Sequence, residues 1–241
     1  MTRLEETAPA LSAVRHRILE GLQARLDAAA VSWLAGATDR VARGTRRDLL
    51  TAYTVASRYL GRAPLTRAET AAGSGPAAVA TGLDDWRLED AGRLLLLLAR
   101  FEAAPTADAF YDDAMACYEQ GDAREQESWV RGAALLPNPQ RFLALMIDTC
   151  RTNILPLFEA VACHNPYPAR FFPDRNFNQM VLKALFNGVA LARITDLAAR
   201  ANPQLARMAL DYASERRAAG RSIPADIGLA TADPAARRSA V

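Results

Sequence analysis

Lysine is nearly missing from this chain. Of its 29 basic residues one, Lys183, is a lysine and the other 28 are arginines. Histidine and cysteine are almost as scarce: His16 and His164, and Cys117, Cys150 and Cys163. Two distant histidines and three scattered cysteines supply neither a metal-ligand spacing nor a disulfide framework, and free thiols fit a reducing cytosol. An excess of charge is lacking too. With 27 acidic residues the formal net charge is +2, which excludes a general nucleic-acid binder, since that needs clustered cations. Arg46-Arg47, Arg216-Arg217 and Arg237-Arg238 are dispersed. The longest apolar run, Leu94 to Ala99, is far short of the roughly twenty residues of a membrane span, so no integral span is expected. Met1-Thr2-Arg3-Leu4-Glu5-Glu6 is acidic with no apolar stretch behind it, unlike a signal peptide. Phosphate-loop, dinucleotide-glycine and nucleophile-elbow patterns do not occur. These absences point to a cytoplasmic protein without a cofactor or metal ion.

What is abundant is alanine, leucine and helical spacing; the chain is 51% hydrophobic and β-branched alternation is absent. The expected fold is all-α, a multi-helix bundle or short solenoid of antiparallel helix pairs, with one domain over 1–224 and a flexible tail over 225–241. Helices are predicted over 11–34, weakened at Gly21, over 45–60 before Gly61, and over 88–101, whose Leu94–Leu98 run belongs at the centre of a core. Residues 62–82, with Gly73, Gly75, Pro76 and Gly82, form the longest loop candidate. Two short helices are predicted over 106–119 and 123–135. Asn138-Pro139 and Asn202-Pro203 read as N-cap and first helical residue. The first of these helices is expected to run on towards Cys163, bent at Pro156. A turn at Pro166 and Pro168, a helix over 174–187 stopped by Gly188, and a helix over 203–219 complete the reading.

At about 100° per residue on the 174–187 helix, Asn176, Gln179, Lys183 and Asn187 share one stripe, flanked by Met180 and Phe186. Phe177, Val181, Leu182 and Leu185 form the opposite apolar arc, and Asn178 falls inside it. A buried amide must find partners, and the 165–168 turn, where two prolines remove two N–H donors, is the expected one. Lys183 is either a solvated charge or a cation that holds an anionic ligand or partner; where arginine has replaced every other lysine, the survivor is expected where a guanidinium does not fit. His164 reads as a cap or packing residue, or as an acid–base group. Tyr167, between two prolines, reads as a core plug or a pocket wall with a hydroxyl. Asn165 opens the same turn. Asp84-Asp85 with Glu89, and Asp112-Asp113, are acidic pairs without the matched partners of a diphosphate-metal site, so they are assigned to helix dipoles. Arg207, Asp211 and Glu215, four apart, read as an exposed ion-pair row.

Asn165-Pro166-Tyr167-Pro168-Ala169 followed by Asn178-Gln179-Met180-Val181-Leu182-Lys183-Ala184-Leu185-Phe186 resembles the EboA family. Leu135-Leu136-Pro137, Arg151-Thr152-Asn153, Phe158-Glu159-Ala160 and Ala201-Asn202-Pro203 leading to Asp211-Tyr212-Ala213 extend the likeness, which is best over 129–221 and thinner over 86–99. Two departures stand out: Phe177 replaces an aromatic that is usually Trp, and Val189-Ala190 stands where similar proteins often carry proline. The resemblance implies a helper protein of a specialised-metabolite biosynthesis or export pathway. Its partners would be a small-molecule metabolite or proteins of the same gene cluster. It supplies no catalytic residues. The competing expectation is a small all-helical enzyme of isomerase or cyclase type, with a pocket around Lys183 and His164. The ligand- or partner-binding candidates are His164, Asn165, Tyr167, Asn176, Asn178, Gln179, Lys183 and Asn187.

Overall fold

A computed structural model describes residues 8–65 and 85–231. Thirteen α-helices and three short 3-10 turns make up the secondary structure among these residues, with a single isolated bridge between Pro64 and Arg87, so the fold is all-α. No helix among them is long and apolar enough to cross a membrane. The chain divides into two compact units, Met1–Phe142 and Leu143–Val241, where the sequence leads one to expect one domain over 1–224.

The first unit holds α1 (Ala8–Gln23), α2 (Ala28–Arg43), α3 (Arg46–Leu60), α4 (Leu88–Ala103), α5 (Ala107–Glu119) and α6 (Ala123–Gly132). The single helix expected over 11–34 is two, because the Asp27 side chain accepts from Ala30 N at 2.8 Å and starts α2 afresh. The other five all pack on α4. Every residue from Leu88 to Ala99 is buried, which a surface helix with one apolar stripe could not achieve. The α3–α4 approach is close: a Cβ on Gly92 would run into Leu60 Cδ1, so a larger residue there requires the Leu60 side chain to move. Most of the loop candidate, 66–82, and Asp84 lie outside the described residues.

Burial on every face of α4 includes charge, which the apolar reading of this helix did not anticipate. Glu89, Asp90 and Arg93 are 2%, 4% and 2% exposed. Arg93 donates to Glu89 Oε2 (2.9 Å), to Ser128 Oγ (2.9 Å) and to the Tyr53 carbonyl (3.0 Å), and its guanidinium lies 5.3 Å from the Tyr53 ring centre. Ser128 Oγ donates onward to Asp90, whose other oxygen accepts from Arg87 N and so caps α4. A second ion cluster sits at Asp113, which takes Arg46 and Arg100 at 2.6 Å each; Arg100 also donates to the Gly44 carbonyl. Asp113 is therefore an ion-pair anchor rather than a dipole residue, and Glu89 belongs to Arg93. No group of three or more His, Cys, Asp or Glu placed to hold a metal ion occurs among the described residues.

The second unit holds α7 (Leu143–Thr149), α8 (Leu155–Ala162), α9 (Pro166–Phe171), α10 (Asp174–Asn187), α11 (Leu197–Arg200), α12 (Pro203–Ala218) and α13 (Gly228–Thr231). Two expectations change over 138–163, across the end of the first unit and the start of the second. Asn138 has φ 50°, a left-handed residue rather than an extended N-cap, and a 3-10 turn over Pro139–Phe142 follows it. The helix beyond does not bend at Pro156 but stops at Thr149, and Pro156 opens α8 in the first turn, where its missing N–H costs nothing. The bounds of α10 and α12 match the sequence reading to within one residue, with Gly188 at φ 70° ending the former. The Pro166–Pro168 turn is the short helix α9. Residues 225–231, at the start of the expected tail, are attached: Asp226 accepts from Leu191 N and Ala230 is fully buried. Residues 232–241 lie outside the described residues.

Removing one member of the Arg93 cluster leaves buried carboxylates uncompensated, which costs about 3–5 kcal/mol for a buried pair. Arg93→Met is expected to lose about that much in urea unfolding followed by circular dichroism; a loss below about 1 kcal/mol would show that the network is not needed.

Candidate functional site

The sequence stripe on α10 meets a small cavity in the second unit. Lys183, Gln179 and Asn176 line it with Met180, and so do Arg151 and Cys150 from the segment that follows α7. Ile147 and Phe172 supply the remaining apolar wall. The volume is about 120 Å³, well below the roughly 300–1,000 Å³ of a drug-sized site. Among the described residues, no acidic side chain lines it.

Lys183 has a folding role that the stripe does not reveal. Its ammonium donates to the carbonyls of Cys150 (2.7 Å) and Thr152 (2.6 Å) and lies 5.0 Å from the centre of the buried Phe158 ring. These carbonyls lie just past the end of α7, where backbone acceptors have no intrahelical donor. A cation at a helix C-terminus is also favoured by the helix dipole. The geometry accounts for the lone lysine: a compact three-donor head fits between two converging carbonyls and an aromatic face, whereas a planar guanidinium presents its donors in a rigid fork. Two of the three N–H groups are engaged on backbone.

Cys150 beside this ammonium is not a nucleophile. Burial pushes its thiol up to about 12, and the opposing pull of Lys183 is the smaller effect, so the reactive thiolate is not available near neutral pH. Arg151 is exposed and pairs with Asp148 at 3.1 Å, an arrangement worth little in water. The side chains of Asn176 and Gln179 make no hydrogen bond to another described residue; Asn176 is half-buried and Gln179 exposed.

The other candidates are placed elsewhere. Asn178 is buried, as its position in the apolar arc demands, but its partner is not the 165–168 turn. It forms a reciprocal amide pair with Asn202, 3.0 Å in both directions, and Asn202 in turn accepts from Leu205 N as the N-cap of α12. Asn165 serves the proline turn instead: its Oδ1 accepts from Tyr167 N and its Nδ2 donates to the Ala160 carbonyl, each at 2.9 Å. Tyr167 is 0% exposed, packed against Phe171 and Phe172, with its phenol pushed up by burial; it is a core plug rather than a pocket wall. His164 is half-buried at φ 50°, and its backbone N–H donates to the Arg193 carbonyl at 2.8 Å. Asn187 is exposed at the last position of α10. None of these five lines the cavity. Phe186, expected to flank the stripe, is 61% exposed and meets Tyr212 edge-on.

Sequence reasoning missed Cys150, Arg151, Ile147 and Phe172 as lining residues, because nothing local ties positions 147–151 to a helix thirty residues on. It also missed Arg200, which donates to the carbonyls of Pro168, Ala169 and Phe172 and to Asp174, and stacks 4.6 Å from the Phe177 ring centre. That arginine fixes the approach from α9 into α10 and so the angle at which the stripe is presented.

Two substitutions test the placements. Asn178→Leu strands Asn202, a helix cap, and is expected to cost about 1–3 kcal/mol in thermal or urea unfolding; an unchanged melting curve would remove the amide pair as a stabilising element. Lys183→Met and Lys183→Arg are each expected to cost about 1–2 kcal/mol, because two carbonyls lose their donor or meet one of the wrong shape. Wild-type stability in both would show that water satisfies the Cys150 and Thr152 carbonyls as well as the ammonium does.

A family model described as "Metabolite traffic protein EboA" matches residues 14–230. No curated protein and no solved structure matches the chain.

Proposed function

The chain belongs to the EboA family, and from that premise we propose that it is a non-catalytic helper of metabolite traffic that binds a pathway metabolite in the Lys183 cavity. One observation carries this: a polar, concave lining drawn from two separate segments converges on an ammonium ion held in place by the backbone. Sites of this kind fix a ligand through a few convergent polar groups backed by apolar walls. The volume suits one polar end of a metabolite, with the remainder extending into solvent or onto a partner protein of the same pathway. A catalytic reading would need an acid–base or nucleophilic group within reach of the bound molecule. His164 and Tyr167 are outside the lining, and Cys150 is held as the thiol.

Incubation with an extract of cells running the pathway, followed by native mass spectrometry, is expected to show one bound small molecule per chain. Gln179→Ala, on an exposed side chain with no partner among the described residues, is expected to lower occupancy without changing the melting temperature. No bound mass, or occupancy indifferent to Gln179→Ala, would overturn the assignment of the cavity as the metabolite site.

A further inference from the structure

The charges around the cavity are unbalanced, and the imbalance has a direction. Lys183 is half-buried, yet both of its acceptors are neutral carbonyls. No carboxylate among the described residues forms an ion pair with it. Elsewhere the chain pairs its inward cations with acids: Arg93 with Glu89, Arg100 with Asp113, Arg193 with Glu159. A second cation, Arg151, lies on the same rim, and its pairing with Asp148 is exposed and easily exchanged. The two amides, Asn176 and Gln179, have N–H groups to donate and no described partner. The walls that complete the cavity, Phe172 and Met180, are buried and apolar, and an apolar surround strengthens a charged hydrogen bond by lowering the local dielectric.

We propose that the cavity takes an anionic group of the metabolite, a carboxylate or a phosphate, held by the free N–H of Lys183, the Arg151 guanidinium and the Asn176 and Gln179 amides. The proposal rests on reading the cavity as the metabolite site and adds the chemical class of its ligand. Two cations with amide N–H groups beside them suit a group of anionic oxygens, and charge-assisted bonds of this type are the strong ones. A space of about 120 Å³ admits such a headgroup but not a whole drug-sized molecule. A cation or a neutral donor-rich group, by contrast, would find no acceptor among the charged side chains that line it.

The test titrates the full chain with sodium phosphate, with sodium acetate and with sodium chloride at matched ionic strength, following the backbone amides of residues 150–152 and 176–183 by nuclear magnetic resonance. Saturable shifts are expected with phosphate or with acetate and not with chloride; whichever binds at least tenfold more tightly identifies the oxyanion. Arg151→Ala and Gln179→Ala, both on exposed side chains, are each expected to weaken that binding about tenfold or more with unchanged melting. No saturable shift with either anion, or binding untouched by both variants, would overturn the proposal. The bound mass from the extract separates this inference from the one beneath it. A neutral metabolite displaced by Gln179→Ala leaves the cavity as the site and overturns its anionic specificity, whereas no bound metabolite beside saturable, variant-sensitive oxyanion binding removes the metabolite reading and supports the anion site.

Discussion

The ammonium of Lys183 resting on the carbonyls of Cys150 and Thr152 is the contact from which the candidate site follows. Helix α7 has only seven residues, too few to be stable by itself, and the chain then breaks before Pro156 starts α8. The broken stretch leaves carbonyls without donors. A cation from α10 satisfies two of them, and in doing so draws residues 150–152 against the polar stripe of α10. The cavity is the space left between the two segments. It follows that the same side chain stabilises the unit and charges the cavity, so its two roles are separable only through neighbours such as Gln179 and Arg151, which line the space without holding backbone.

The first unit depends on a different constraint, the burial of α4 on all sides. Burial on every face is easily met by Leu94–Leu98, but the first turns of the same helix carry Glu89, Asp90 and Arg93. Desolvating three charges is unfavourable unless they compensate one another. The i,i+4 spacing of Glu89 and Arg93 gives them contact along the helix, and Ser128 and the Tyr53 carbonyl complete the hydrogen bonds from α6 and α3. Hydrogen bonds have stricter geometry than apolar contacts, so such a network restricts how α3, α4 and α6 can pack on one another. Gly92 lets the Leu60 side chain lie directly against the α4 backbone, a placement that a Cβ there would force it to leave.

Much of the fold was legible in the sequence, and the reasons are local. The bounds of α10 and α12 were readable because Gly188 and Gly220 adopt positive φ at their ends and Asn202 caps the latter. The all-α class followed from periodicity and from the scarcity of alternating apolar runs. The errors were also local in origin. Asp27 caps α2, yet helical spacing continues across it, so the sequence reads as one helix over 11–34. Pro156 fits a bend inside a helix as well as the first turn of a new one, where it stands. Both residues have two admissible readings, and the sequence around them does not choose.

The sequence by itself determined the all-α class, the bounds of α10 and α12, the stripe of Asn176, Gln179 and Lys183, the burial of Asn178 and the family to which the chain belongs. These depend on the order of residues along the chain and on the period of the helix. Only the tertiary structure decided which partners those residues meet: Asn202 rather than the proline turn for Asn178, two backbone carbonyls for Lys183, and Cys150 and Arg151 as the far wall of the cavity. Such pairings join positions about 25 to 35 residues apart, where periodicity carries no information and the outcome is set by which packing leaves the fewest buried polar groups without a partner.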